Sequence, residues 1–348
     1  MTSDNYTPAP GDGSVGRALV SQMGELTQAR HGEMALNNAR RNFSVLDRGR
    51  SLTDLRRASL GDGDSAIVIA AGPSIKRHDP LKAIQEQNYR GALVVTESAL
   101  MYCLRNGVIP DLTVTLDPHA TRIVRWFGDP NLTADAISAD DYYSRQDMDE
   151  AFANELKAND EALTLLNEHG KKIKIALSTS ASQAVVDRVL EIGMKIFWWN
   201  PMLDDPDLPG SQTAQLQKEN GLPSMNAGGN VGSCAWMLAA EVLEKKHIAL
   251  TGMDFSYYDG TPHRNTQYFH EAVDLVGEEN LDSIFIRVFN PYNELWFFTD
   301  PAYMWYRECF LEMASDAECN NYNCTEGGIL FGENIDFIPL RKFIAEHG

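Results

Sequence analysis

Residues 66–75 read AIVIAAGPSI. A short run rich in Ile and Val ends in Gly72-Pro73-Ser74, which predicts a buried strand that stops where the backbone must turn. Gly72 has no side chain, so another chemical group can come close to its main chain. Pro73 fixes the direction of exit, and Ser74 supplies a hydroxyl able to cap a following helix. In α/β sheets the carboxyl end of a strand beside a helix start is where phosphorylated ligands bind. A plain strand-to-helix turn explains the same residues.

Outward from this stretch the pattern repeats. Further strands are expected at Ala92–Thr96, Leu112–Leu116, Ala134–Ser138, Lys172–Leu177, Lys195–Trp199, His247–Thr251 and Asn321–Cys324. Helices are expected at Pro80–Glu86, Ser98–Asn106, Met148–Glu168, Ser182–Ile192, Val231–Lys245 and Tyr303–Ala317. This alternation predicts an α/β, Rossmann-like domain over 61–348, a mainly parallel sheet with helices on both faces. Residues 17–57 place apolar positions at helical spacing without proline, so an N-terminal helical extension is expected over 17–60, after a disordered tail at 1–16. Two long segments, Asn200–Gly229 and Phe255–Asp300, show no clear period. Loops of that length are usually lids or binding loops, and 255–300 is expected to be a lid.

Composition narrows the function. The chain has 348 residues, 43% of them hydrophobic, enough for a real core. It has no run of 18 apolar residues, so no membrane span is expected, and its first residues do not read as a secretory signal. Five cysteines, without a CxxC pair, fit a reducing cytoplasm and do not suggest zinc. A net charge of −19 argues against nucleic acid as a partner. Between Arg17 and Arg57, however, eight arginines face four acids. This basic arm is expected to lie on the acidic body, with phosphate or partner contact as the alternative.

Several segments carry candidate chemistry. Asp117, in Leu116-Asp117-Pro118-His119, ends a strand and suits a metal, a ribose or a sugar hydroxyl, or else caps a helix. Asn226–Ser233, reading NAGGNVGS before a helix, resembles a phosphate-cradling turn, with Gly228, Gly229, Asn230, Gly232 and Ser233 as its binding residues. It is neither a Walker A loop nor a dinucleotide fingerprint. Thr251–His263, reading TGMDFSYYDGTPH, offers Asp254 just past a strand and His263 as a candidate general acid or base, with His270 as rival. Asp205-Pro206-Asp207 reads as a turn. Thr325-Glu326-Gly327-Gly328 follows a short strand, and its glycines permit close approach of backbone to ligand.

Taken in order, GPSI, Gly107-Val108-Ile109-Pro110-Asp111 before the strand leading to Asp117, GGNVGS, TGMDFSYYDGTPH and TEGG resemble the MptE-like family, which includes the flagellar motility accessory factors (Maf proteins). The resemblance implies two chemistries. Archaeal members transfer pyrophosphate from ATP to 6-hydroxymethyl-dihydropterin with magnesium, for which Asp117 and Asp254 would be the ligands here. Maf proteins attach nonulosonic acids to flagellin and look like bacterial sialyltransferases, which use CMP-sugars without a metal. By that likeness Gly72, Pro73 and Ser74, with Gly232 and Ser233, would hold the nucleotide, and His263 would be the base. Few lysines or arginines stand near the strand ends (Lys76, Arg77, Arg122 and Arg264), which disfavours a triphosphate. Tyr257, Tyr258, Tyr268 and Phe269 suit a sugar ring. The expectation is therefore glycosyl transfer from a CMP-sugar to a hydroxyl on a protein or glycan acceptor, with no tightly bound cofactor. ATP-dependent diphosphokinase activity and non-catalytic nucleotide, sugar or partner binding are the alternatives.

Overall fold

The computed structural model describes residues 13–119, 123–139 and 154–348. Its strands are β1 (Arg50–Ser51), β2 (Ser65–Ile69), β3 (Ala92–Thr96), β4 (Leu112–Thr115), β5 (Lys174–Ser178), β6 (Lys195–Pro201), β7 (Ser224–Met225), β8 (His247–Thr251), β9 (Tyr257–Tyr258), β10 (Ile286–Asn290), β11 (Leu295–Thr299), β12 (Asn320–Asn323) and β13 (Ile335–Phe337). The main sheet runs β1-β6-β5-β4-β3-β2-β8-β12-β13, with β7 beside β6, and every pairing in it is parallel. The α/β, mainly parallel architecture expected from the sequence is the architecture observed.

Both faces of the sheet are covered, as its strands require. All five residues of β2 are buried, the mark of a strand enclosed on both sides. Alternate residues serve opposite cores. Ala66 and Val68 pack with Trp236 and Leu238, while Ile67 and Ile69 pack with Leu81, Ile84 and Phe343. Asp111 ties neighbouring strands together: its Oδ2 accepts the Leu93 N–H at 2.9 Å.

From β2 the chain steps outward through β3, β4, β5 and β6, then returns to place β8 on the other side of β2. The connection therefore reverses between β2 and β8. Open α/β sheets bind ligands outside the carboxyl ends of the strands at such a reversal.

Several expectations need correction. Ala134–Ser138 is a helix, not a strand. Thr133 caps it by accepting the Ala136 N–H at 3.2 Å, and four of its five residues are exposed, so it has no face for a sheet interior. The helix expected from Met148 is described only as Glu155–His169; its earlier residues lie outside the described set. Val231–Met237 is α-helical but passes into a π-helix at Leu238–Val242. Of the expected tail, residues 1–12 lie outside the described residues, while Ser14–Val20 is a helix.

The segment 255–300 has structure of its own. β9, β10 and β11 form a small antiparallel sheet, and Tyr257, Phe285 and Phe298 anchor a separate apolar cluster with Leu281 and Ile284. Alternation across β10 (buried Ile286, Val288 and Asn290) is the pattern of a sheet covered on one face.

The N-terminal extension is partly helical, through Met23–Asn42, but it also supplies β1 to the main sheet. Its Leu52 and Leu55 enter the central core. As expected, its arginines lie on the acidic body: Arg30 meets Glu271 at 3.5 Å, Arg40 meets Glu219 at 3.7 Å and Arg56 meets Glu244 at 3.9 Å. These pairs are exposed and contribute little to stability.

Candidate active site

The carboxyl ends of the central strands open into one cleft of about 1340 Å³. Gly72 and Pro73 enter it after β2, Glu97 after β3, Asp117 after β4 and Asp254 after β8. Since β4, β3, β2 and β8 are consecutive in the sheet, these residues form one row along its edge.

Asp254 is the centre of this row. It is 2% exposed, and its Oδ2 accepts from the Ser74 hydroxyl at 2.7 Å and the Ser74 N–H at 3.3 Å. Its Oδ1 is buried with no hydrogen-bond partner among the described residues. Burial pushes the carboxyl up to about 7, and the Ser74 bonds limit the rise. Gly72 is glycine because a Cβ there would meet the Asp254 carboxylate and the Gly252 carbonyl. The group that approaches this glycine closely thus belongs to the protein.

The TEGG turn serves the same residue. A Cβ on Gly328, whose φ is +69°, would collide with the Asp254 backbone, and one on Gly327 with the Tyr258 hydroxyl. Ile329 N–H donates to the Asp254 carbonyl at 2.9 Å. Thr325 and Glu326, with Ser74, line a separate cavity of about 210 Å³ instead of the main cleft. Gly327, Gly328, Ser233 and His263 line neither.

The NAGGNVGS turn does reach the cleft through Gly228, Gly229, Asn230 and Gly232. Its donors are partly used internally. Asn226 Oδ1 accepts the Gly228 N–H at 3.0 Å, and Asn230 caps the helix by accepting the Ser233 N–H at 2.9 Å. The Ser233 hydroxyl is bonded to Asn230 at 2.8 Å.

The helix Met23–Asn42 roofs the cleft. Its buried amides hold it there: Asn38 Nδ2 donates to the carbonyls of Pro118 and Ser180 at 3.0 and 2.9 Å, and Asn42 Nδ2 to those of Thr179 and Ala181, both at 2.8 Å. His31, seven residues before Asn38, shares that face of the helix. It lines the cleft, and its Nδ1 is buried without a partner among the described residues. Burial lowers its pKa, opposed by the charge of Asp117. Sequence reading overlooked His31, although it is the one imidazole among the described residues that line the cleft.

His263 sits elsewhere. Its ring packs on Phe285 at 4.3 Å and Phe298 at 5.4 Å in the small-sheet cluster, and burial lowers its pKa. Of the expected aromatic residues, Tyr257 and Tyr268 line the cleft, while Arg77 covers the Tyr258 ring at 3.8 Å. The helix Pro301–Asp316 adds Tyr303, Trp305 and Tyr306, which sequence reading did not single out. Asp300 caps that helix through Tyr303 N–H at 2.9 Å, and burial raises its carboxyl to about 6. Arg122 lies outside the described residues. Among the described lining residues Arg30 is the one guanidinium, and there is no lysine.

Magnesium would have drawn on Asp117 and Asp254. Among the described residues no group of three His, Cys, Asp or Glu side chains could hold a metal ion. One Asp254 oxygen is already bonded to Ser74. The donor set does not fit a metal held by the protein's side chains alone.

The comparisons agree with this fold. Residues 37–195 match the family model described as 6-hydroxymethylpterin diphosphokinase MptE-like. A 73-residue stretch is 29% identical to 6-hydroxymethyl-7,8-dihydropterin pyrophosphokinase of Methanocaldococcus jannaschii, covering 21% of this chain and 30% of that protein. The solved structure of a Maf glycosyltransferase from Magnetospirillum magneticum AMB-1 superposes with a TM-score of 0.54 at 16% identity, over 91% of this chain and 41% of that one. The chain thus spans less than half the length of either. At that identity the structural likeness shows the fold. The resemblance to the MptE-like family that the ordered motifs predicted is borne out over residues 37–195, and the likeness to the Maf protein is one of fold. Among the described residues, no helix is long and apolar enough to cross a membrane.

Proposed function

We propose that the chain is a transferase acting on a nucleotide-activated donor, and that the group moved is a glycosyl unit, a nonulosonic acid carried on CMP. The observation that carries this reading is the cleft wall at the topological reversal. It joins aromatic faces (Tyr268, Tyr303, Trp305 and Tyr306) to carboxyl groups, with one guanidinium among the described lining residues. Aromatic faces suit the C–H side of a sugar ring and carboxyls suit its hydroxyls, whereas a triphosphate calls for several cations. Sites for a single small ligand typically occupy about 300–1,000 Å³. The 1340 Å³ cleft therefore has room for donor and acceptor together.

In this reaction the acceptor hydroxyl gives its proton to a base and its oxygen bonds to the anomeric carbon. The bond from that carbon to the phosphate oxygen breaks, and its electron pair leaves with the nucleotide. Asp117 and His31 are the cleft's candidates for the base, because both line it and the charge of Asp117 acts on His31. His263, the base expected from the family likeness, would have to leave its aromatic seat to reach the cleft.

A thermal-shift panel of CMP, CDP, UDP, GDP and ATP, the last with and without magnesium, tests the reading. A ligand at 100 times its dissociation constant adds about 2.7 kcal/mol of stability. Stabilisation by CMP without metal is the expected result. A response confined to ATP with magnesium would replace glycosyl transfer by pyrophosphoryl transfer.

A further inference from the structure

Glu97 has no part in the reaction just described, yet its setting is unusual. It follows β3, whose neighbour β2 leads into Gly72-Pro73, and it opens the helix Glu97–Arg105. Glu97 lines the cleft although it is only 4% exposed. Oε2 is buried with no hydrogen-bond partner among the described residues. A buried carboxylate without a counter-charge is costly, and the usual response is to keep the proton.

The surroundings favour the acid form. Desolvation pushes Glu97 up to about 8; a bond to its own backbone N–H opposes the rise, and the negative charge of Asp117 at the end of β4 adds to it. Cys234, on the helix Val231–Met237, feels the Glu97 charge and is itself held well above the usual thiol range by burial. Asp254 stands beyond the neighbouring strand, and His31 and Arg30 line the same cleft from its roof.

We propose that Glu97 is a ligand-binding residue that meets the anionic oxygens of the donor as a carboxylic acid, its Oε2–H donating a hydrogen bond to a phosphate or carboxylate oxygen. The proposal rests on the reading that the cleft takes a nucleotide-activated donor. It explains how a cleft with one guanidinium among its described lining residues can receive an anion. Hydrogen bonds from a neutral O–H to a charged oxygen are short and strong, and enzymes elsewhere keep a buried carboxylic acid neutral for this purpose. Ionising Glu97 would replace a donor by a negative charge facing a negative charge.

Isothermal titration of the full chain with CMP and with inorganic sulfate, at pH 7.5 and pH 9, tests this in wild type, E97Q and E97A. Sulfate does not titrate in this range, and the CMP phosphate is already doubly ionised there. Wild type is expected to bind both probes about tenfold more weakly at pH 9, as one lost charge-assisted bond implies. E97Q keeps a neutral donor, so its affinity is expected to be the same at both pH values. E97A, which has neither donor nor charge, should bind more weakly than wild type at pH 7.5 and equally at both pH values; if E97A does not fold, the E97Q profile alone decides. Equal pH profiles in wild type and E97Q overturn the proposal even if CMP binds tightly and the function stands. Sulfate binding with the expected profile but no CMP binding removes the nucleotide reading and keeps Glu97 as an anion donor. Failure of both probes to bind overturns both.

Discussion

Replacing Asp254 by Asn makes the electrostatics of the cleft measurable without any ligand. Asp254 is enclosed, and burial raises its carboxyl from 3.8 to about 7. The folded state therefore binds this proton more tightly than the unfolded chain. Stability from this group is fully present below pH 3.8 and declines as pH rises, until it levels off above about 7. The shift corresponds to about 4 kcal/mol across that window. Asn has the same shape and no titration, so D254N is spared this decline. Its amide still accepts from Ser74, and the nitrogen placed at the Oδ1 position adds a cost that does not vary with pH. Urea unfolding of both proteins at intervals from pH 4 to pH 8 reads the difference directly. D254N should gain on wild type steadily from pH 4 to pH 7, by an amount of order 4 kcal/mol, with a constant gap above. Parallel curves would show that Asp254 titrates in the fold as it does in the unfolded chain, and the account of its burial would fail.

Two further substitutions separate structural from chemical roles. G72A should lower stability by about 1–3 kcal/mol through overpacking, because the new methyl group meets the Asp254 carboxylate and the Gly252 carbonyl; a urea midpoint unchanged from wild type would contradict that contact. H31A should reduce turnover with an activated sugar by about 10²–10⁴-fold, the span of general acid–base effects, whereas H263A should alter the melting of the small-sheet cluster and leave turnover within a few-fold. The reverse pattern would return the base to His263.

Where one periodicity dominated, the fold was legible. β2 reads as a strand because AIVI is enclosed on both faces and stops at Gly72-Pro73. The helix Pro80–Glu86 begins at its proline, a residue that tolerates the first helical turn. Placement was not legible where burial used small residues and amides, even for an element whose helical spacing was read correctly. The helix Met23–Asn42 buries Gly32, Ala35 and Ala39 together with Asn38 and Asn42. Small residues and amides leave no hydrophobic stripe, so nothing in the pattern reveals that this helix roofs a cleft. Residues 255–300 look irregular because three strands of two to five residues are separated by turns and by helices of three to eight residues, each too brief to establish a period. Ala134–Ser138 was expected as a strand, but Thr133 and a run of exposed residues make a capped helix.

The candidate site was legible by position and much less so by role, and the reason is physical. Topology decides which loops meet, and strand ends can be counted along a sequence. That is how Gly72, Asp117 and Asp254 were found. A role depends on which polar atoms the fold has already satisfied, and that is settled by long-range contacts. Ser74 and Asn230 look like phosphate donors, yet Ser74 bonds Asp254, and Asn230 bonds Ser233. Gly72 and Gly328 look like openings for a ligand, yet each yields to Asp254. Glu97 looks like an ordinary acid in a first helical turn, where the helix dipole favours it. In folded proteins nearly all buried polar atoms find partners, so exceptions call for an explanation. Four such exceptions belong to residues lining this cleft: His31 Nδ1, Glu97 Oε2, Asp254 Oδ1 and Glu271 Oε2. The first three come from the roof and from two strand ends separated only by β2. An occupant that offers one acceptor to Glu97 and hydroxyls to the other two would satisfy all three, and an activated sugar carries both kinds of group.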